Sequence, residues 1–565
     1  MMRDVAQLSE SYDYIVVGGG SAGCVLAARL SEDSSSSVLL IEAGPAARNP
    51  WLHIPSGFFK TINNPRFDWR YETDPEPALN GRRIAWPRGR VLGGSSAING
   101  LIYIRGQADD FNDWAQRGNP GWSWQDVLPA FKAVESQARG AGEFHGTGGG
   151  LSVEDPDAEL ELVSRFVEAG QQAGLPLNDD FNGAGQEGVG RFQLTTRSGR
   201  RSSSARAFLA PAARRPNLRI LTGAEAGRLE LEGRRVIGIH CRHGGAPMRL
   251  RCRREIILTA GAIGSTQILQ ISGIGDADRL QAIGVEPLHH LAGVGMHLQD
   301  HIQARLMLKL SRPISLNDLT RGPARKLMIG LNSLLRRRGV LSFGASLAGG
   351  FARTSLSADR PDIQFHFQPL SLDSYDGGLH AFPGATISAC QLRPESEGSI
   401  LITSPDPSAR PSIRANYLAT ERDRQTMIQG FRWARRIAAA PALAEVIATE
   451  YRPGADVETD NEILDYIRST GSSIYHPSGT CRMGPDPSRG DVVDARLRVH
   501  GLTGLRVADC SIMPRLVSGN TNAAAIMIGA RAAEFIQEDA LEASRATILA
   551  AGASAGGKQE TGTVA

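Results

Sequence analysis

"YDYIVVGGGSAGCVLAARLSEDSSSSVLLIEAG", residues 12–44, sets the reading of the whole chain. Tyr14 to Val17 form a short, largely β-branched run, the composition of a strand buried on both faces. Gly18, Gly20 and Gly23 follow with the spacing G-x-G-x-x-G, and Ser21 to Leu30 carry small and aliphatic residues at helical spacing. Val38 to Ile41 form a second apolar run that ends at Glu42. The pattern is a βαβ unit with an acid roughly 20 residues beyond the last glycine, the fingerprint of dinucleotide binding. Gly18 permits the tight turn, Gly20 lets the backbone approach a pyrophosphate, and Gly23 lets the helix pack on the strand. The helix start at Ser21 and Ala22 presents unpaired N–H groups and a partial positive charge to the phosphates. Glu42, followed by Ala43, is placed to accept hydrogen bonds from a ribose diol.

The same letters admit a rival. Gly19-Gly20-Ser21-Ala22-Gly23 also fits G-x-S-x-G, the nucleophile elbow of esterases, and would make Ser21 a nucleophile. That elbow normally follows several earlier strands, and it leaves Glu42 without a role. The dinucleotide reading is therefore preferred, although the fingerprint does not separate NAD from FAD.

Composition narrows the class. The chain has 565 residues, enough for about two to four domain-sized units. Hydrophobic residues make up 41% and charged residues 21%, which places it among globular rather than disordered chains. A net charge of +3 provides no basic field for nucleic acid. The runs Arg251-Cys252-Arg253-Arg254 and Arg336-Arg337-Arg338 read as solvated faces. Six scattered cysteines without a CxxC pair suit a reduced, cytoplasmic protein. No apolar run reaches the ~18 residues that a membrane span needs. The Ala-, Gly- and Thr-rich residues 545–565 read as a flexible tail. The 64 glycines point to tight turns and close backbone approach to a ligand.

Two further segments separate the cofactors. In "WPRGRVLGGSSAINGLIYIRG", residues 86–106, Gly93, Gly94, Ser95 and Ser96 supply small groups and backbone donors, and Asn99 an amide. "TAGAIGSTQILQISGIG", residues 259–275, follows the strand "EIILTAG" and leads into a helix. With "HPSGTCRMG" (476–484) and "GLRVADCSIMPRLVSGNTNAAAIMIGARAAEFI" (504–536), these segments resemble, in order, the signatures of the glucose–methanol–choline oxidoreductase family of FAD enzymes. The resemblance runs from Tyr12 to about Gln537. Thr266 stands where the family pattern usually has Pro or Ser.

The resemblance implies an α/β (α+β overall) fold: a discontinuous, Rossmann-like FAD-binding domain over 12–155, 195–302 and 474–540. The inserted substrate domain, 156–194 and 303–473, would be built on an antiparallel sheet covered by helices. "DIQFHFQPL" and "ATISACQLRP" read as strands, and "DRQTMIQGFRWARRIAAAP" has helical periodicity. Besides the fingerprint residues, the resemblance implies FAD contacts from Arg90, Val91, Asn99, Gly100, Leu101 and Ile102. It implies others from Ala226, Ala260, Gly261, Tyr475, Asp509, Cys510, Thr521 and Asn522. Asp509 resembles the acid that orients the cofactor through a polar chain. Ile98 occupies the place where some relatives attach FAD through histidine, so non-covalent FAD is expected.

In the family the histidine at position 476 lies over the reactive face of the flavin, which makes His476 the expected general base. Pro477 restricts its backbone to extended conformations, and Ser478 and Gly479 are expected to keep bulk away from the ring. Asn520 matches a second catalytic position held by His or Asn, and would donate to the growing alkoxide. Choline-acting relatives carry Glu where this chain has Gln303, which favours a neutral primary alcohol over choline. Electrons would pass to a quinone or to oxygen, and a quinone implies peripheral contact with a membrane, although no amphipathic anchor is evident. A choline dehydrogenase or alcohol oxidase is the alternative within the family. A hydroxynitrile-type lyase or light-driven decarboxylase is the alternative on the same scaffold, and the His476–Asn520 pair argues against decarboxylation. His289, His290, His297 and His301 cluster in sequence, but their spacing fits no tetrahedral metal site. "LQDH", ending at His301, recurs in the family near the active-site wall. Cys481 reads as a small buried thiol.

Overall fold

The structure is a computed structural model that describes residues 11–156, 159–337, 339–357, 359–374 and 377–556. Strand β1 (Ser11–Val17), helix α1 (Ser21–Leu30) and strand β2 (Val38–Glu42) form the expected βαβ unit. β1 runs parallel to β2, with Tyr14 opposite Val38 and Val17 opposite Ile41. Every residue of β2 is buried, as its unbroken apolar run requires.

On its other side β1 pairs in parallel with the end of β3 (Ala246–Leu258), Val17 meeting Leu258. The sheet continues through Arg235–His243 to Ala224–Glu232, with Leu218–Thr222 on the far side of β2. Leu505–Val507 adds a short parallel strand to the last turn of β3. β3 takes part in two pairings. Its first half is antiparallel to Arg235–His243 and its second half parallel to β1. The basic run at 251–254 lies inside this strand. Leu250 and Cys252 point inward while Arg249, Arg251 and Arg253 point outward, an alternation of period two. Helix α2 (Gly261–Ile271) leaves directly from the strand's end.

A second, antiparallel sheet carries the rest. Its order is Ile447–Arg452, β4 (Ile302–Leu310), Gly384–Gln391, β5 (Ile363–Gln368), Ala348–Ala352 and Gly188–Arg191. Helix α3 (Pro323–Arg336) lies in the connection between β4 and Ala348–Ala352. Helix α4 (Glu421–Ala438) covers the sheet with Met427, Phe431, Ala434 and Ile437, spaced three or four apart. The expected strands and helix of this region are β5, Gly384–Gln391 and α4.

One chain segment brings the two sheets to a common seam. Ser472–Ser473 pairs with Ile302 and Gln303 of β4. Ser478 then exchanges backbone hydrogen bonds with Gln299. Helix α5 (Asn522–Gly556) packs along α1 so closely that a Cβ on Gly529 would lie 2.5 Å from the Ala22 carbonyl oxygen. The flexible reading from 545 is corrected as far as Gly556, where the alanine-rich segment continues the helix. Residues 557–565 lie outside the described residues. Among the described residues no helix is long and apolar enough to cross a membrane.

Candidate active site

A cavity of about 500 Å³ lies along the seam. Gly18, Gly20, Ser21, Ala22, Glu42, Ala43 and Ala226 line it from the first sheet and its βαβ unit, and His476 and Asn520 from the C-terminal segments. Three helix N-termini face it: Ser21 and Ala22 of α1, Gly261 of α2 and Asn522 of α5. α1 has no side-chain cap and no acid in its first turn. Its end is thus an open site for an anion, where aligned N–H groups and the helix dipole act together. Gly18 has φ +110°, and a Cβ there would lie 2.7 Å from the Thr259 carbonyl oxygen. Gly261 has φ +79° and open space where a Cβ would stand. Gly94 approaches Gly20 so closely that its Cβ would lie 2.7 Å from the Gly20 Cα, so the two glycine loops touch. A cradle of bare glycine backbone and helix N-termini with an acid beside it fits a dinucleotide such as FAD.

Glu42 is held from both sides. Its carboxylate accepts from the Gly19 N–H at 2.9 Å and the Gly44 N–H at 2.8 Å. Burial pushes its pKa up to about 7, against the pull of those amides and of Arg90. Ser21 donates to the Asn522 amide oxygen at 2.8 Å, so its hydroxyl faces an amide rather than a base and the esterase reading loses its nucleophile. Asp509 accepts from the Gly261 N–H and the Ser265 hydroxyl at 2.8 and 2.6 Å, and so fixes the start of α2. Ser95, Asn99, Gly100, Leu101, Ile102, Ala260, Tyr475, Cys510 and Thr521 also reach the wall. Leu101 and Tyr475 do so in the left-handed region, at φ +72° and +71°, a conformation that stores backbone strain at the site.

Four expected contacts stay off the wall. Gly23 packs behind it, where a Cβ would lie 2.0 Å from the Gly18 carbonyl oxygen; this is the helix-packing role read from the fingerprint. Gly93 turns its N–H to the Gly19 carbonyl at 2.7 Å. Val91 is fully buried with Leu52, Phe67 and Ile98. Arg90 lies over the Trp69 ring, 4.9 Å from its centroid. The small residues after Pro477 also act elsewhere than expected. Ser478 pairs with Gln299, and a Cβ on Gly479 would lie 2.4 Å from the His297 carbonyl oxygen, so they admit a neighbouring strand rather than a ring. Thr266 sits inside α2, its hydroxyl returned to the Ala262 carbonyl at 2.8 Å.

The histidine end has a defined proton arrangement. His301 Nε2 lies 2.9 Å from the Leu392 carbonyl oxygen, which only accepts, so Nε2 carries the proton. Burial lowers the His301 pKa to about 4, so the ring is neutral and Nδ1 holds a lone pair. His476 Nδ1 lies 2.9 Å from that atom and must donate to it. The His476 pKa is held well below 6.5, first by burial and then by His301, Arg88 and His366. Its Nε2 is therefore left with the lone pair, the acceptor side of the ring. Asn520 Nδ2 stands 3.5 Å from it. Gln364 Nε2 donates to Asn520 Oδ1 at 3.2 Å, which turns the amide nitrogen toward the histidine.

The backbone of His476 is pinned as well. Its N–H donates to Asp300 at 2.6 Å. The other Asp300 oxygen accepts from Ser473 at 2.5 Å and from Tyr417. Arg88 donates to the Tyr475 carbonyl at 2.6 Å. Gln364, His366 and Arg201, which donates to Asn99 Oδ1 at 2.7 Å, have no local signature in sequence, while Asp300 and His301 were marked by "LQDH" alone. The remaining histidines of that cluster are separate: His289 meets the His500 carbonyl, His290 the Ala277 N–H, and His297 Glu397. Cys481 is buried, with its thiol pushed up to about 12 by burial.

Fold and cavity together define a dinucleotide-dependent oxidoreductase. Sequence models of the GMC oxidoreductase family match residues 12–303 and 394–529, and the chain belongs to that family. It is 43% identical over 533 residues to an alcohol dehydrogenase (acceptor) of Pseudomonas putida, covering 93% of this chain and 95% of that one. It is 40% identical over 533 residues to an oxygen-dependent choline dehydrogenase of Vibrio vulnificus, covering 94% and 95%. The crystal structure of pyridoxine 4-oxidase from Mesorbium loti superposes with TM-score 0.84 at 34% identity, covering 93% of this chain and 99% of that one.

Proposed function

We propose that the protein oxidises a neutral primary alcohol to the aldehyde, with non-covalent FAD as cofactor. In this reading His476 is the general base and Asn520 the hydrogen-bond donor to the substrate oxygen. The chemistry FAD supplies is acceptance of a hydride from the carbinol carbon, its electrons passing on to a quinone or to oxygen. The hydroxyl proton goes to His476 Nε2. Asn520 Nδ2 donates to the oxygen as negative charge grows on it, and an oxygen electron pair closes the C=O bond as the hydride departs. The alcohol thus loses one proton and one hydride. The observation that carries this reading is His476 Nε2, the ring nitrogen left with the lone pair, 3.5 Å from the Asn520 amide nitrogen, with both residues on the cavity wall. Ile98 offers no nucleophile for covalent attachment of the cofactor.

Choline is the second reading, favoured by the choline dehydrogenases among the relatives. A quaternary ammonium needs a carboxylate or an aromatic box. The carboxylates on the cavity wall are engaged: Glu42 by two amides, Asp509 by Gly261 and Ser265, and Glu225 facing Arg90 at 3.8 Å. Of the aromatic groups on the wall, Phe58, Trp69, Tyr71 and Tyr475, the stacked Trp69–Tyr71 pair already carries the Arg90 guanidinium, a cation that repels a quaternary ammonium. Gln303, on the same wall, is uncharged. The test is anaerobic bleaching of the yellow holoenzyme by a panel of alcohols. Neutral primary alcohols should bleach it at least tenfold faster than choline at equal concentration, the factor a lost ion pair of about 1.4 kcal/mol implies. Choline bleaching as fast would overturn the substrate class. A flavin-loaded protein that no alcohol bleaches would overturn alcohol oxidation and favour a lyase.

A further inference from the structure

Helix α3 exposes four large apolar side chains. Leu327, Met328, Leu331 and Leu335 are 66%, 59%, 49% and 78% exposed, and their spacing places them along one side of the helix. Scattered exposed leucines need no explanation, but a stripe on one helix does. The segment is also free of acid: between Asp318 and Asp359 no carboxylate side chain occurs, while Arg321, Arg325, Lys326, Arg336, Arg337 and Arg338 add positive charge.

A second observation supplies more charge beside it. Arg197, Arg200 and Arg337 all act electrostatically on Arg206, lowering its pKa together with burial, so four guanidinium groups share one region. The turn between Thr196–Arg197 and Arg200–Arg201 touches the end of the helix, since a Cβ on Gly199 would lie 1.9 Å from the Arg337 carbonyl oxygen. The acid nearest to this turn in the hydrogen-bond network, Glu154, is engaged with the Ser198 N–H and the Thr196 hydroxyl. Among the described residues none of these four arginines is in a salt bridge, and Glu154 is the one carboxylate hydrogen-bonded to their turn. An apolar stripe beside such a net-positive cluster is the composition of a helix lying in the headgroup region of an anionic bilayer.

The position matters for the cavity. The turn Val340–Ser342 that follows α3 packs against Pro55–Gly57. Phe58 and Ala345, which continue those two segments, line the cavity. A smaller recess lined by Phe58, Phe59, Leu370 and Leu372 adjoins it there.

We propose that α3 and the neighbouring arginine cluster dock the protein on an anionic lipid surface, with the cavity's Phe58 end toward the bilayer. The reading does not depend on which alcohol is oxidised. An apolar alcohol or a lipid-soluble acceptor would then reach the cavity from the membrane side.

The test is co-sedimentation of FAD-loaded enzyme with vesicles of phosphatidylcholine, alone or mixed with phosphatidylglycerol. The enzyme should sediment with the anionic vesicles at low salt and be released as salt rises. The triple variant Leu327→Ser/Leu331→Ser/Leu335→Ser should stay in solution, while its turnover of a water-soluble alcohol is unchanged. Arg197→Gln/Arg200→Gln should weaken binding by on the order of tenfold, since each cation near a charged bilayer contributes measurably. A wild-type enzyme that ignores anionic vesicles, or a triple variant that still binds them, would overturn the proposal. So would light scattering that shows a wild-type dimer dissociated by the leucine substitutions, because the face would then meet a second copy of the chain.

Discussion

Replacing His476 with alanine removes the lone pair at Nε2 and leaves the proposed substrate hydroxyl with Asn520 alone. A positioned general base contributes about 10²- to 10⁴-fold, or roughly 3–5 kcal/mol of barrier. The variant also strands His301 Nδ1, which accepts only from His476, so some stability is lost, about 1–3 kcal/mol for an unpaired buried acceptor. The cradle at Gly18, Gly20, Gly261 and Asn522 is untouched, so flavin should remain bound. The assay is stopped-flow reduction by a saturating neutral alcohol without oxygen, followed as loss of flavin colour. The wild-type rate should stay flat as pH falls from about 8 to about 6.5, because burial and the facing groups His301, Arg88 and His366 keep His476 neutral well below its ordinary value. The variant's rate should rise with pH, since solution must then supply the base, and added imidazole should restore part of it. A variant that bleaches within tenfold of wild type with the same pH profile would refute the role of His476.

Asn520→Ala should lower the reduction rate by about 10²-fold or more with flavin content unchanged, the loss expected for one donor to a developing oxyanion; unchanged single-turnover reduction would argue against a donor role. Gln303→Glu places a carboxylate on the cavity wall and should raise choline kcat/KM relative to a neutral alcohol, by about tenfold for a partly solvated ion pair; an unchanged ratio would remove position 303 from substrate choice. Gly23→Ala forces a methyl into the Gly18 carbonyl, 2.0 Å from where the Cβ would stand. Overpacking of that kind costs about 1–3 kcal/mol, so flavin content and melting temperature should both fall, and a variant with wild-type values of each would contradict the packing role.

Much of this arrangement was legible in the chain because it is local. A β-branched run, a glycine turn and a small-residue helix must be adjacent in sequence to form a βαβ unit, and the α1 boundaries follow the letters from Ser21 to Leu30. His476 and Asn520 were legible through the family's motifs, and the structure brings the pair together. Ser478 and Gly479 were misassigned because a small residue reads alike whether it makes room for a ligand or for a strand. The first half of β3 was hidden because its arginines dominate the composition while the inward Leu250 and Cys252 alternate beneath them.

By itself the sequence determined the glycine turn and helix start of the cradle at Gly18–Gly23, since turn geometry and helix dipole depend on near neighbours along the chain; Gly261 and Asn522 join it only in the tertiary structure. Only the tertiary structure decided which atom of His476 is basic. That follows from a relay through His301 to the Leu392 carbonyl, residues far apart in the chain that meet because 472–478 runs beside the start of β4. It also decided that the leucines of α3 face outward, which their periodicity alone does not tell, because an apolar stripe looks the same in sequence whether protein or something else covers it.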